Sequence, residues 1–214
     1  MVDFSPELHR DFITRRGEAI RWYLSKICPC RDPVSGQHDR SCDPCDGAGF
    51  LYDEQDVSDY RALVRQVDQR EEFAKFGQIY VGDITLTTMP DEIAIGEGDL
   101  VDLTSRRFRH EEVVQADGGS QTKLAWTPVE ELLAVSWLEA TYEIGVDVRL
   151  STNSDALYWT GTPPAAGTRI SVVYNWTPRY IVIPSMITTR RVVEGTAMPQ
   201  RVVARLKNRE DFRE

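Results

Sequence analysis

QIYVGDITLTT (78–88), MPD (89–91), EIAI (92–95), GEGD (96–99) and LVDLT (100–104) follow one another without interruption. The first, third and fifth stretches are rich in β-branched and aromatic residues. The second and fourth carry the Pro, Gly and Asp that punctuate turns. Short strands at this spacing predict a small barrel of SH3 or OB type. Arg106 to Gln115 reads as one further strand, ended by Asp117-Gly118-Gly119.

Upstream, Asp56 to Gln69 is ambiguous. Val57, Tyr60, Leu63, Val64 and Val67 fit a helix, and Leu63 to Val67 equally fits a strand. Ser5-Pro6-Glu7 combines an N-cap residue, proline at the first helical position and an acid in the first turn. Leu8, Phe12 and Ile13 continue at helical spacing, which predicts a short helix stopped by Gly17. Ala19 to Leu24 reads as a strand, as does Phe50 to Tyr52.

Downstream, Leu124 to Ala140 reads as a joining stretch into a second β unit. That unit contains Tyr142 to Leu150, Leu157 to Thr160, Arg169 to Trp176 and Tyr180 to Ile183. Ile187 to Glu194 and Gln200 to Lys207 close the chain as β segments, punctuated by Pro184 and Pro199. The predicted architecture is mainly β, divided as an N-terminal helix and strand (1–27), a cysteine knob (28–52), a barrel (53–122), a hairpin-rich β unit (123–183) and a basic C-terminal segment (184–214).

The knob holds all four cysteines of the chain: Cys28-Pro29-Cys30, eleven residues, then Cys42-Asp43-Pro44-Cys45. Pro33, Gly36, Gly47 and Gly49 add turns, and apolar residues are scarce, so the segment lacks a core of its own. Two close pairs of thiols in such a window point to a tetrahedral zinc site with Cys28, Cys30, Cys42 and Cys45 as ligands. His38 lies inside the window, and a set of three cysteines and one histidine is also acceptable to zinc. A disulfide pairing is the weaker alternative, because the start of the chain (Met1 to Glu7) has neither the basic residues nor the apolar run of a signal peptide and predicts a reducing cytosol.

The 214 residues carry a net charge of −9 with 41% hydrophobic and 28% charged content, the profile of a folded globular chain. No apolar run approaches the length that spans a bilayer. A negative net charge opposes tight gripping of phosphates. The charge is uneven: from Asp43 to Asp102 there are fifteen acids against four bases, and from Arg179 to the end eight bases against four acids. This reads either as a solvated surface with a basic tail or as complementary docking of one subunit's tail on the next subunit's acidic region.

No catalytic residue emerges. His9, His38 and His110 have no nucleophile motif beside them, and Gly96-Glu97-Gly98 is an acidic turn, hostile to phosphate. Glu111-Glu112 and Glu130-Glu131 are adjacent carboxylates that a strand points to opposite faces. Trp126, Trp137, Tyr158, Trp159, Tyr174, Trp176 and Tyr180 lie mostly in predicted β structure without interleaved bases, which favours core and interface packing over base stacking.

The knob, with its exit GAGFLY (47–52), resembles cysteine modules in structural proteins of tailed bacteriophages, especially at the head–tail junction. Its half Cys42-x-x-Cys45-x-Gly47-x-Gly49 is also similar to half of the cysteine-rich repeat of J-domain co-chaperones, but Cys28-x-Cys30 departs from that pattern. The stretch YWT (158–160) with PPAAGTRISVVY (163–174) resembles a hairpin of tail and neck components, and TPRYIV (177–182) is similar to neck proteins. The resemblance implies a virion protein assembled in the host cytoplasm. It would be a homo-oligomeric ring (hexamer or dodecamer) in the connector, stopper or collar, touching portal or adaptor and tail proteins. DNA would pass through its lumen without specific binding, and no enzymatic activity or membrane is implied. The competing class is a zinc-ribbon nucleic-acid binder or phage assembly factor. Against it, the knob offers only Arg31 and Arg40 beside Asp32, Asp39, Asp43 and Asp46.

Overall fold

The computed structural model describes residues 5–45, 47–54, 60–67, 82–89, 94–138, 140–183, 192–193 and 196–207. In chain order a helix α1 (Pro6–Arg16) precedes β1 (Glu18–Ala19), β2 (Arg21–Ile27), β3 (Phe50–Glu54), β4 (Arg61–Gln66), β5 (Ile84–Thr87) and β6 (Leu100–Asp102). Then come β7 (Phe108–Gln115), β8 (Gln121–Lys123), β9 (Val129–Trp137), β10 (Ala140–Thr141), β11 (Val148–Leu150), β12 (Ala156–Trp159) and β13 (Arg169–Trp176). The chain ends with β14 (Arg179–Val182), β15 (Val192–Val193), β16 (Thr196–Ala197) and β17 (Arg201–Leu206). The expected mainly β architecture with one short N-terminal helix is therefore present. Among the described residues no helix is long and apolar enough to cross a membrane.

Helix α1 begins as its sequence dictates: the Ser5 hydroxyl accepts from the Leu8 N–H at 3.4 Å, and Pro6 opens the first turn. It stops at Gly17, where a Cβ would sit 2.4 Å from the Ile13 carbonyl oxygen, so only glycine fits. Of the three apolar positions at helical spacing, Ile13 is buried and Leu8 and Phe12 are exposed.

The chain folds into two compact units. The first comprises the described residues within 1–105 and 180–207. Its sheet runs β1-β4-β5-β17-β14-β6-β2-β3. Only Ile20 separates β1 from β2, yet they stand at the first and seventh places of that order. The sheet must therefore curl back on itself, with the continuous strand 18–27 pairing β4 on one side and β6 on the other. Ile20, Trp22, Ala62, Ile84, Leu86, Val101, Tyr180, Val182, Val202 and Ala204 contribute to one buried cluster drawn from every strand of this ring. The outer half of β2 continues past the ring as a ribbon with β3, in register from Tyr23↔Glu54 to Ile27↔Phe50. The cysteine knob is the tip of that ribbon.

Where the 96–99 turn packs on β2, buried donors demand an acceptor, and Asp99 provides it. Its carboxylate is 1% exposed and accepts from the Trp22 indole N–H (2.8 Å), the Ser25 N–H (2.8 Å) and hydroxyl (2.9 Å), and the Gly96 N–H (2.7 Å). Asp99→Ala would strand several donors, each costing about 1–3 kcal/mol when buried unpaired. We expect a loss of about 3 kcal/mol or more in chemical denaturation, with Asp99→Asn milder because it keeps acceptor oxygen; a loss below about 1 kcal/mol would contradict this role.

The second unit, residues 106–179 among those described, holds a four-stranded sheet (β10-β9-β13-β7) and a three-stranded one (β11-β12-β8). Strand β13 alternates strictly. Ile170, Val172, Tyr174 and Trp176 are buried, while Arg169 and Ser171 face outward. The Tyr174 hydroxyl donates to Glu112 Oε1 at 2.6 Å and accepts from the Trp126 N–H at 3.1 Å, locking the chain around 125 onto β7.

The division expected from sequence is drawn elsewhere in the structure. Residues 106–122 leave the barrel, because β7 pairs with β13 over eight consecutive positions, Gln115↔Arg169 to Phe108↔Trp176. Leu124 to Ala140 is not a joiner; it contains β9, a nine-residue strand of the same sheet. Residues 180–183 and 201–206 belong with the barrel instead of the second unit and an appended tail. Strand β17 pairs both β5 and β14, and Val202, Val203 and Ala204 are buried on both faces. The ambiguous stretch 56–69 is a strand at Arg61–Gln66, with 56–59 and 68–69 outside the described residues, as are 78–81, 92–93 and 187–191.

Candidate metal centre

Within the knob, backbone turns replace a hydrophobic core. The Cys28 N–H donates to the Gly49 carbonyl (3.0 Å), joining both ends of the loop. The Arg31 N–H returns to the Cys28 carbonyl (3.0 Å), and the Gly47 and Ala48 N–H groups return to Cys42 and Cys45 (3.1 and 2.9 Å). Asp43–Cys45 forms a single 3-10 turn. Gly49 adopts φ +73°, and a Cβ there would lie 2.9 Å from the His38 side chain. Only glycine lets the chain pass beneath that ring.

These turns bring the four expected ligands together. The sulfurs of Cys28, Cys30, Cys42 and Cys45 all lie within 4.8 Å of one another, in a group that could hold a metal ion. Cys28 and Cys42 stand 3.8 Å apart and Cys30 and Cys45 3.6 Å, all four being free thiols. Cys28 and Cys45 are buried, Cys30 and Cys42 half-buried. The group consists of cysteines alone, so His38 is not among the ligating atoms.

The electrostatics favour a cation. Burial, then the hydrogen bond to Cys30, push the Cys42 thiol up to about 12, and burial with the Cys28 hydrogen bond raises Cys30. Cys45 is opposed by its burial, but the Gly49 N–H at 3.3 Å and the neighbouring thiols bring it below the ordinary thiol value. Four sulfurs this close cannot all ionise against one another; a bound cation removes that repulsion.

The remaining candidates have structural partners. His110 stands edge-on to Trp126 and Tyr174, at 6.0 and 5.6 Å between ring centres. Glu111 pairs with Arg109, whereas Glu112 accepts from Tyr174 and the Ala125 N–H. Glu130 receives the Thr177 hydroxyl and Arg107, and Glu131 receives Asn175. Tyr174, Trp176, Trp159 and Tyr180 are buried, and Trp126 stacks on Trp176 at 4.6 Å. Arg31 spends its guanidinium inside the knob, donating to the Gly36 carbonyl at 2.7 Å and lying 5.5 Å from the Phe50 ring centre.

The acidic stretch and the basic segment are not simply solvated surface. Asp83, Asp99 and Asp102 of the acidic stretch are buried, and Arg205 of the basic segment reaches Asp83 at 3.1–3.2 Å. The signal lay in their neighbours: each sits within an apolar strand or a tight turn. Arg190, Arg191 and Arg209 lie outside the described residues. No known family model matches the chain, and no curated protein shows significant similarity to it.

Proposed function

We propose that this chain is a structural ring subunit in the neck of a tailed bacteriophage, linking portal to tail around the DNA channel, and that its knob is stapled by zinc. The observation that carries the reading is the ribbon β2–β3, which extends beyond a closed barrel and ends in a four-cysteine tip. A curled sheet bearing a projecting ribbon suits docking to a neighbouring ring. The negative net charge suits a wall past which a polyanion slides.

Zinc fits the tip by size as well as by ligand softness. With Zn–S bonds of about 2.3 Å, a tetrahedron has sulfur–sulfur edges of about 3.8 Å. Two of the six separations, 3.8 and 3.6 Å, match that edge, and all six lie within 4.8 Å. Zinc bound by Cys28, Cys30, Cys42 and Cys45 supplies a cross-link with no coordination position left open to a substrate. The chain's own groups do the rest: Gly49 donates to Cys45, and Cys28 and Gly49 close the loop.

Mass spectrometry of purified particles tests the ring. The protein should be a stoichiometric virion component, and its loss should give filled heads without tails. If particles lack the protein while its loss still blocks assembly, it is an assembly factor instead. Elemental analysis of protein purified under reducing conditions, with no metal added, should find near-stoichiometric zinc. The reading also expects the isolated subunit to bind duplex DNA more weakly than about 1 µM at physiological salt. Tighter binding with a steep salt slope would favour the zinc-ribbon alternative.

A further inference from the structure

One face of the four-stranded sheet in the second unit carries a groove of about 680 Å³. Register explains it. Val113 of β7, Ser171 of β13 and Ser136 of β9 stand side by side across the sheet, so small hydroxyl side chains form the floor. Trp137 at the end of β9 and Leu138 after it line the groove beside that floor, 39% and 97% exposed. Arg169 lines the groove, and its guanidinium makes no hydrogen bond or ion pair with the described residues. At the other end of the sheet, Arg107 and Arg109 are already paired, with Glu130 and Glu111. Apolar walls with one uncommitted cation fit an apolar side chain that has a carboxylate beside it.

The knob of this chain presents that pair. Val34 is 94% exposed at the head of a turn that hydrogen bonds hold rigid. Asp32 Oδ1 accepts from the Val34 N–H (2.9 Å), the Ser35 N–H (2.6 Å) and the Ser35 hydroxyl (3.0 Å). The backbone of Asp32 exchanges further bonds with Gln37 and Gly36. The second oxygen of that carboxylate, Oδ2, takes part in none of these bonds.

We propose that the Val34 turn of one copy docks in this groove of a second copy, Val34 packing against Trp137 and Leu138 while Asp32 Oδ2 meets Arg169. The contact joins two different surfaces, so it propagates from copy to copy and closes a ring when the rotation allows. A pre-ordered turn loses little conformational freedom on docking. The inference rests on the ring reading above and names the contact that would build the ring.

The test places p-benzoylphenylalanine at position 138 of the full chain in phage-producing cells and irradiates both free subunits and assembled particles. The expected product is a cross-link from 138 to residues 31–37 of another copy, lost in Val34→Asp. Asp32→Asn keeps the turn's acceptor but removes the charge. It and Arg169→Gln should each weaken self-association several-fold, and the double variant no further than either alone. Unchanged zinc content in each variant controls for knob integrity. Cross-links to another segment or to a different protein, or none in either sample, overturn the groove assignment whatever the particle composition shows. Absence of the protein from particles overturns the ring reading, while a 138 to 31–37 cross-link among free subunits would still establish the contact.

Discussion

Cys42→Ser is expected to lower bound zinc from about one ion per chain to near zero and to unfold the knob while sparing the barrel. A serine hydroxyl is a poor zinc ligand, and three thiolates cannot complete a closed site. Between Cys28 and Gly49 the only buried apolar side chains among the described residues are Cys28 and Cys45 themselves, so without a bound metal only local hydrogen bonds would order the segment. The barrel's buried cluster draws no residue from that segment. Hydrogen exchange should therefore show residues 28–49 losing protection while β5 and β17 keep theirs, alongside an elemental analysis of the same sample. Protection of the knob amides equal to that of the unsubstituted protein would refute the metal as the staple.

Removing β17 is expected to abolish the first unit altogether. A chain ending at Pro199 loses the strand that pairs with both β14 and β5, and with it Val202 and Ala204 from the barrel interior. It also loses Gln200, whose amide bonds both the N–H and the carbonyl of Ile95 (2.9 and 2.7 Å), and Arg205, the partner of buried Asp83. Each buried valine is worth about 1.5–3 kcal/mol, and an unpaired buried carboxylate costs several more, against a total stability of about 5–15 kcal/mol. A chain ending at Lys207 should melt like the full protein in its first unit. Cutting after Arg205 is expected to be harmful, since Leu206 pairs with Tyr180 and packs on the core. Thermal unfolding followed by circular dichroism separates the three, and a cooperative transition in the Pro199 chain would show that β17 is dispensable to the barrel.

Several features were legible in the residues because they are local. Ser5-Pro6-Glu7 capped a helix, since a side chain reaches its own backbone across three residues. The strand at 169–176 was legible too, and covalent geometry then puts Ile170, Val172, Tyr174 and Trp176 on one face. The cysteine spacing brought four sulfurs together because the turns between them are short. Partner choice was not local. Every strand offers the same backbone donors and acceptors, so pairing is decided by packing across the sheet and by which distant segment fills the remaining edge. That is why 106–115 left the barrel for β13 and why 201–206 arrived from the far end of the chain. The same long-range pairing buried Asp83 against Arg205 and set Ser136, Ser171 and Val113 in one row. Charge counts along the chain cannot anticipate such arrangements, because burial belongs to the sheet and not to the segment.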